Sequence, residues 1–182
     1  MNLRLTIAGL YIPEFIKKKK LLELFELTAD AFESDMPAIK NLSYSACLKA
    51  YADFSKTKAE EIIEEHADMD AVKGKLYRNA YQMGEKLRQD FHIKTKKEVL
   101  RLSSVLYRIL RIEFIGSASG EVVIKRCFFS QFYSPDVCAL ISALDEGVAA
   151  GLSGGGRLEF KERITEGKNC CRAIFTMKER IS

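Results

Sequence analysis

The stretch SPDVCALISALDEGVAAGLSGGGRLEFKERITEGKNCCRAIFTM, residues 134–177, decides the fold that the sequence predicts. Its start is typical of a helix, with Ser134 as the N-cap, proline at the first helical position and an acid in the first turn. Apolar residues at helical spacing continue to about Gly151, where a glycine-rich run ends the predicted helix. Two alternating segments, residues 158–164 and 171–177, are separated by a polar turn and therefore predict a hairpin.

Four residues of this stretch interrupt its apolar surfaces: Cys138, Asp145, Glu162 and Cys171. If the apolar residues of the first strand face inward, the period of two turns Glu162 inward as well. Cys138 and Asp145 lie two turns apart on the flank of the helix's apolar stripe, and Cys171 shares a face with apolar residues of the last strand. A buried carboxylate must find a partner or shift its pKa, so we expect these side chains to form a catalytic site.

The same pattern has a second interpretation that involves no chemistry. A β-bulge would turn Glu162 outward, and the two cysteines would then be small core residues, as free cysteines commonly are. The residues alone leave both alternatives open.

The rest of the chain predicts a helical half, residues 1–111, followed by a hairpin, helix and hairpin unit, residues 112–182. Apolar stripes and caps predict helices at about 13–32, 43–66, 68–91 and 95–110, and residues 1–12 a short strand or an ordered arm. The β-rich runs at 112–115 and 121–127 flank a Ser-Ala-Ser-Gly turn. Segregated helices and neighbouring strands predict a single α+β domain, with helices packed against an antiparallel sheet of about four strands.

Composition limits the classes of function. The apolar fraction of 47% and charged fraction of 30% fit a soluble globular protein. The net charge of +4 comes from mixed basic and acidic residues, which argues against a nucleic-acid partner. No apolar run approaches the roughly 20 residues of a membrane span. An odd number of cysteines, five, and the absence of a signal-peptide pattern predict free thiols in a reducing cytoplasm.

Metal and cofactor signals are weak. The chain has two histidines, His66 and His92, which excludes a multi-histidine metal site within one subunit. The cysteines form no CxxC pair, and no nucleotide-binding glycine motif occurs. We therefore predict no metal ligands, and the sequence leaves any cofactor undefined.

Several short patterns in the C-terminal part resemble the L-2-amino-thiazoline-4-carboxylic acid hydrolase family. They are VIKRC at 123–127, Cys138, the Asp-Glu-Gly at 145–147, and the run LEFKERITEGKNCC at 158–171. The glycine turn with a cysteine four residues on, Gly167 and Cys171, also resembles the vinyl-4-reductase domain, an α+β module that binds small molecules.

The hydrolase resemblance implies ring opening of a small cyclic C–N substrate such as a thiazoline carboxylate. The attacking group would be the Cys171 or Cys138 thiolate, or water, with Asp145 or Glu162 as general acid or base. Arg163 would pair a substrate carboxylate, and Arg126 is the second basic candidate for binding the substrate or activating a thiol.

The vinyl-4-reductase resemblance implies a binding or sensory module without catalysis. Its apolar pocket would be lined by the aromatic cluster Phe128, Phe129, Phe132 and Tyr133. Some sensor members bind zinc through cysteines and a glutamate, but Lys161 and Arg163 on this strand disfavour a zinc ion here. Both resemblances imply a small-molecule partner. The sequence leaves open whether the protein is an enzyme, and a homodimer is one alternative for its oligomeric state.

Overall fold

The computed structural model describes residues 6, 9, 11–39, 41–65 and 68–177. In chain order its elements are α1 (Glu14–Ala31), α2 (Tyr44–Glu64), α3 (Met69–Asp90), α4 (Lys96–Ile109), β1 (Glu113–Gly116), β2 (Glu121–Arg126), a 3₁₀ turn (Phe128–Gln131), α5 (Pro135–Ile141), α6 (Ala143–Ser153), β3 (Arg157–Glu162), a second 3₁₀ turn (Ile164–Glu166) and β4 (Cys171–Thr176). None of the helices within these residues is long and apolar enough to cross a membrane.

The predicted α+β architecture is confirmed. Of the elements given above, four helices precede the first strand, and the four strands form one sheet in the order β1-β2-β4-β3. All three strand pairings are antiparallel, and the two predicted hairpins join through β2 and β4. The last strand therefore lies in the interior of the sheet, where both of its edges are hydrogen-bonded.

One face of the sheet carries the core. Along β4 the burial alternates strictly, with Cys171, Ala173 and Phe175 buried and the residues between them exposed. Phe114 of β1, Val122 of β2 and Leu158 of β3 are buried in the same apolar cluster. Helix α4 packs on β1 and α6 on β3, so these helices cover the buried face.

Helix α6 is held against α3 by a contact between backbones. A Cβ atom added to Gly84 of α3 would lie 2.5 Å from the carbonyl oxygen of Val148. On the α6 side, a Cβ atom at Gly147 would overlap the carbonyl oxygen of Tyr77, and one at Gly151 would overlap that of Tyr81. Since any side chain would separate the helices, these glycines fix the position of α6 between α3 and the sheet.

The predicted C-terminal helix differs from the observed one in two ways. The observed helix continues through Gly151 to Ser153 and ends at Gly154, whose φ of 76° is the left-handed conformation that glycine adopts easily. Ser142 interrupts it, and the Ser142 hydroxyl donates a hydrogen bond to the Ala139 carbonyl at 2.9 Å. Of the expected strand or arm at 1–12, residues 6, 9, 11 and 12 are described; Thr6 and Gly9 are helical rather than extended, and the rest of the segment and His66 lie outside the described residues.

We expect Gly151→Ala to lower the free energy of unfolding by about 1–3 kcal/mol, because the new methyl group must displace backbone atoms of α3. The control is Gly74→Ala in α3, where the added Cβ meets the flexible Arg78 side chain at 3.1 Å. That change should stabilise the protein by up to about 1 kcal/mol through helix propensity. Urea denaturation measures both, and equal effects of the two variants would contradict the backbone contact.

Candidate functional site

A cavity of about 130 Å³ lies between the helices and the buried face of the sheet. Its wall is predominantly apolar and comes from α4, α5, α6, β2 and β4, with contributions from the N-terminal helices. A cavity of about 150 Å³ is large enough to bind a single benzene ring. The space therefore suits a molecule of about one ring, or a few waters.

The structure brings most of the sequence-predicted chemistry to this cavity. Cys138 of α5, Asp145 of α6, Cys171 of β4 and Arg163 after β3 all line its wall. Cys127, at the end of β2, joins them and was predicted only as part of the family pattern. Helical spacing places Cys138 and Asp145 on the side of α5 and α6 that lines the cavity. The alternation of side chains along a strand places Cys171 on the inner face of the sheet.

The expectation that Glu162 points inward is wrong. The pairing of β3 with β4 shifts register between Phe160 and Glu162, so a bulge turns Glu162 away from the buried face. Its carboxylate lies 3.4 Å from the guanidinium of Arg172, and its side chain is 41% exposed. The carboxylate of the site is thus Asp145 rather than Glu162.

Three further predicted binding residues lie outside the cavity wall. Arg126 ends β2 with an 88% exposed side chain, 3.8 Å from the Glu113 carboxylate. Phe128 and Phe132 pack on each other with ring centroids 5.3 Å apart and face the rim of the core. The 3₁₀ turn rotates the aromatic cluster so that its other two members, Phe129 and Tyr133, line the cavity.

Asp145 is the acidic group of the cavity wall. The Tyr107 hydroxyl donates a hydrogen bond of 2.7 Å to its Oδ1 atom. Burial raises the pKa of Asp145 from 3.8 to about 6, while the Tyr107 hydrogen bond and the Arg163 charge act in the opposite direction. Asp145 can therefore exchange a proton close to neutral pH, as a general acid or base requires.

The three thiols of the wall are held in their neutral form. Burial raises the pKa of Cys127 to about 12, and it also raises the pKa of Cys138 and of Cys171. The Ile164 N–H donates to the Cys171 sulfur at 3.4 Å, which opposes this effect without offsetting it. Because the thiolate is the nucleophile, none of these cysteines is activated for attack at neutral pH.

Arg163 lies at the side of the cavity and has its own partners. Its guanidinium lies 3.4 Å from the Glu166 carboxylate and donates to the Ser142 hydroxyl at 3.3 Å. Its Cζ atom lies 5.0 Å from the centre of the Phe160 ring. The backbone N–H of Arg163 also donates to Glu166, which fixes the turn that carries it.

The residues that the sequence did not reveal are tyrosines. Tyr51 and Tyr107 line the cavity, and each sits on the apolar face of its helix, where a tyrosine resembles any core residue. The only available signal was their polar hydroxyl, which needs a partner when buried. Thr28 supplies that partner for Tyr51 at 3.2 Å, and Asp145 supplies it for Tyr107.

The described part of the chain also shows which potential metal ligands lie close together. Within it, no group of three or more His, Cys, Asp or Glu side chains is arranged to hold a metal ion. Displacement of Glu162 to the outer face removes the ligand that would have joined the cysteines.

Comparison with known proteins does not add a family to this description. No protein-family model matches the chain, and no curated protein is significantly similar to it. The resemblance to the thiazoline hydrolase and vinyl-4-reductase families therefore stays a prediction.

We expect Asp145→Asn to stabilise the protein increasingly as the pH rises from about 4 to about 6. The folded wild type binds this proton more tightly than the unfolded chain, so its stability falls across that window. Asparagine keeps the acceptor for Tyr107 and has no proton to lose, and the difference between the two proteins should grow by about 2 kcal/mol.

Urea denaturation across this pH range measures the difference, with Glu159→Gln as the control. The Lys161 ammonium lowers the pKa of Glu159, so that variant should lose stability relative to wild type as the pH rises. A pH-independent difference between Asp145→Asn and wild type would contradict the raised pKa of Asp145.

Proposed function

We propose that the protein binds a small, mainly apolar molecule in the cavity, as the vinyl-4-reductase resemblance implies. The observation that carries this proposal is the cavity itself, a space of about 130 Å³ with a predominantly apolar wall and one carboxyl group. Binding pockets combine an apolar lining with a few convergent polar groups in this way.

The size of the cavity limits the ligand. A molecule of one ring with a short substituent fits a space of this volume, whereas a long-chain lipid or a nucleotide does not. Burial of its apolar surface supplies the binding free energy, and Asp145, Ser142 and Arg163 orient its polar end.

Val148→Phe should abolish binding, because Val148 lines the cavity one turn beyond Asp145 and the larger ring would occupy the space. The control is Ile174→Phe on the outer face of β4, where the side chain is 41% exposed. With benzyl alcohol or toluene about tenfold above its Kd, the wild type and the control should gain about 3–6 °C in Tm. Equal gains by Val148→Phe would place the ligand elsewhere, and no gain by any protein would refute the binding function.

Hydrolysis of a small cyclic C–N substrate is a second candidate function. It is favoured by a carboxyl group with a pKa of about 6 in the same cavity as Arg163. Asp145 would take a proton from water as the oxygen adds to the ring carbon. It would pass that proton to the ring nitrogen, and it would then carry the proton of the new hydroxyl group to the same nitrogen as the carbonyl forms and the C–N bond breaks. Arg163 would pair the substrate carboxylate, and the neutral thiols of Cys138 and Cys171 would line the site without attacking.

This candidate predicts that the protein opens the ring of 2-amino-thiazoline-4-carboxylate, followed by NMR. Asp145→Asn should lower kcat by about 10²–10⁴-fold, the usual contribution of a general acid or base. Glu162→Gln is the matched control and should leave turnover unchanged, because Glu162 lies on the outer face of the sheet. Equal turnover by wild type and Asp145→Asn would refute this mechanism.

A further inference from the structure

The charged groups that line the cavity differ in whether they have an oppositely charged partner. Lys20, at the edge of the wall, pairs with Glu23 at 2.6 Å, and Arg163 pairs with Glu166 at 3.4 Å. The hydrogen bond that the structure describes for Asp145 comes instead from a neutral hydroxyl, that of Tyr107. Each cation at the cavity thus has its own carboxylate, whereas among the described residues Asp145 forms no direct ion pair and the only cation that influences its pKa is Arg163, which is paired with Glu166.

Tyr51 and Tyr133 line the cavity with their hydroxyl groups bonded to other side chains. The Tyr51 hydroxyl is hydrogen-bonded to Thr28 at 3.2 Å, and the Tyr133 hydroxyl to Ser55 at 2.5 Å. Phe129 lies between these two tyrosines, with its ring centroid 5.7 Å from that of Tyr51 and 5.5 Å from that of Tyr133. Aromatic rings attract cations through their quadrupoles, most strongly where water is excluded.

We infer that the cavity selects a small organic ammonium ion, a protonated primary amine with an apolar body of about one ring. The ammonium group would donate to the Asp145 carboxylate, and the apolar body would lie against the rings of Tyr51, Phe129 and Tyr133. This inference rests on the proposed binding function and adds the charge of the ligand to it. A neutral molecule would leave the buried carboxylate without a direct ion pair, and an anion bound beside it would be repelled.

The pH dependence of binding depends on every charged or titratable group that faces Asp145. Those groups are Tyr51 on α2, Tyr107 on α4, Cys127 after β2, Cys138 on α5, Glu146 on α6, Arg163 after β3 and Cys171 on β4. Burial raises the pKa of each of these tyrosines and cysteines, so they stay neutral at and below pH 7.5. Arg163 stays charged, which leaves Asp145 and Glu146 as the groups of this set that titrate.

Isothermal titration calorimetry with benzylamine, benzyl alcohol, toluene and benzoate tests the inference. At pH 7.5 benzylamine should bind about tenfold more tightly than benzyl alcohol, because a charge-assisted hydrogen bond is stronger than a neutral one. At pH 5 Asp145 is mostly protonated, and this preference should fall by about tenfold. Asp145→Asn should bind benzylamine no more tightly than benzyl alcohol, whereas Glu146→Gln should keep the preference of the wild type for the amine.

Each other result has a distinct meaning. Equal or tighter binding of benzyl alcohol or benzoate at pH 7.5 overturns the ammonium preference and leaves the pocket intact. An amine preference that survives in Asp145→Asn, or that does not change between pH 7.5 and 5 in the wild type, also overturns it. Failure of all four compounds to bind refutes the pocket and the ammonium preference together.

Discussion

The close contact between α3 and α6 is the constraint on which the rest of the structure depends. Gly84, Gly147 and Gly151 let the two backbones approach until no side chain fits between them. Helix α6 is therefore enclosed between α3 on one side and the sheet on the other, and its position is not adjustable. Asp145 lies two residues before Gly147, so the same contact that stabilises the helix pair also holds the carboxyl group at the cavity.

The arrangement of elements was readable from the sequence because it follows from local patterns. Helical spacing, caps and alternation predicted the α+β order, and they placed Cys138, Asp145 and Cys171 on inward faces. The orientation of Glu162 was not predictable in this way, because strand pairing and a bulge decide it. The role of Tyr107 depends on a partner 38 residues away, and no local pattern records such a hydrogen bond.

Burial in the cavity wall has different consequences for the thiol groups and for the carboxyl group. Burial makes three thiols weaker acids and therefore poor nucleophiles, while the same effect moves Asp145 into the range where its proton is exchangeable near neutral pH. The three thiols of the wall thus form a soft, polarisable lining. The carboxyl group, hydrogen-bonded to Tyr107, is the acidic group of the same wall.

The aromatic content of the cavity gives the protein an intrinsic optical reporter. The chain contains seven tyrosines and no tryptophan, so its near-ultraviolet emission comes from tyrosine. Tyr51, Tyr107 and Tyr133 all line the cavity, and the Tyr107 hydroxyl is bonded directly to Asp145. A change in the occupancy or protonation of the cavity therefore alters the surroundings of three of the seven fluorophores. Unmodified protein can in this way signal the state of its own interior, without an added label.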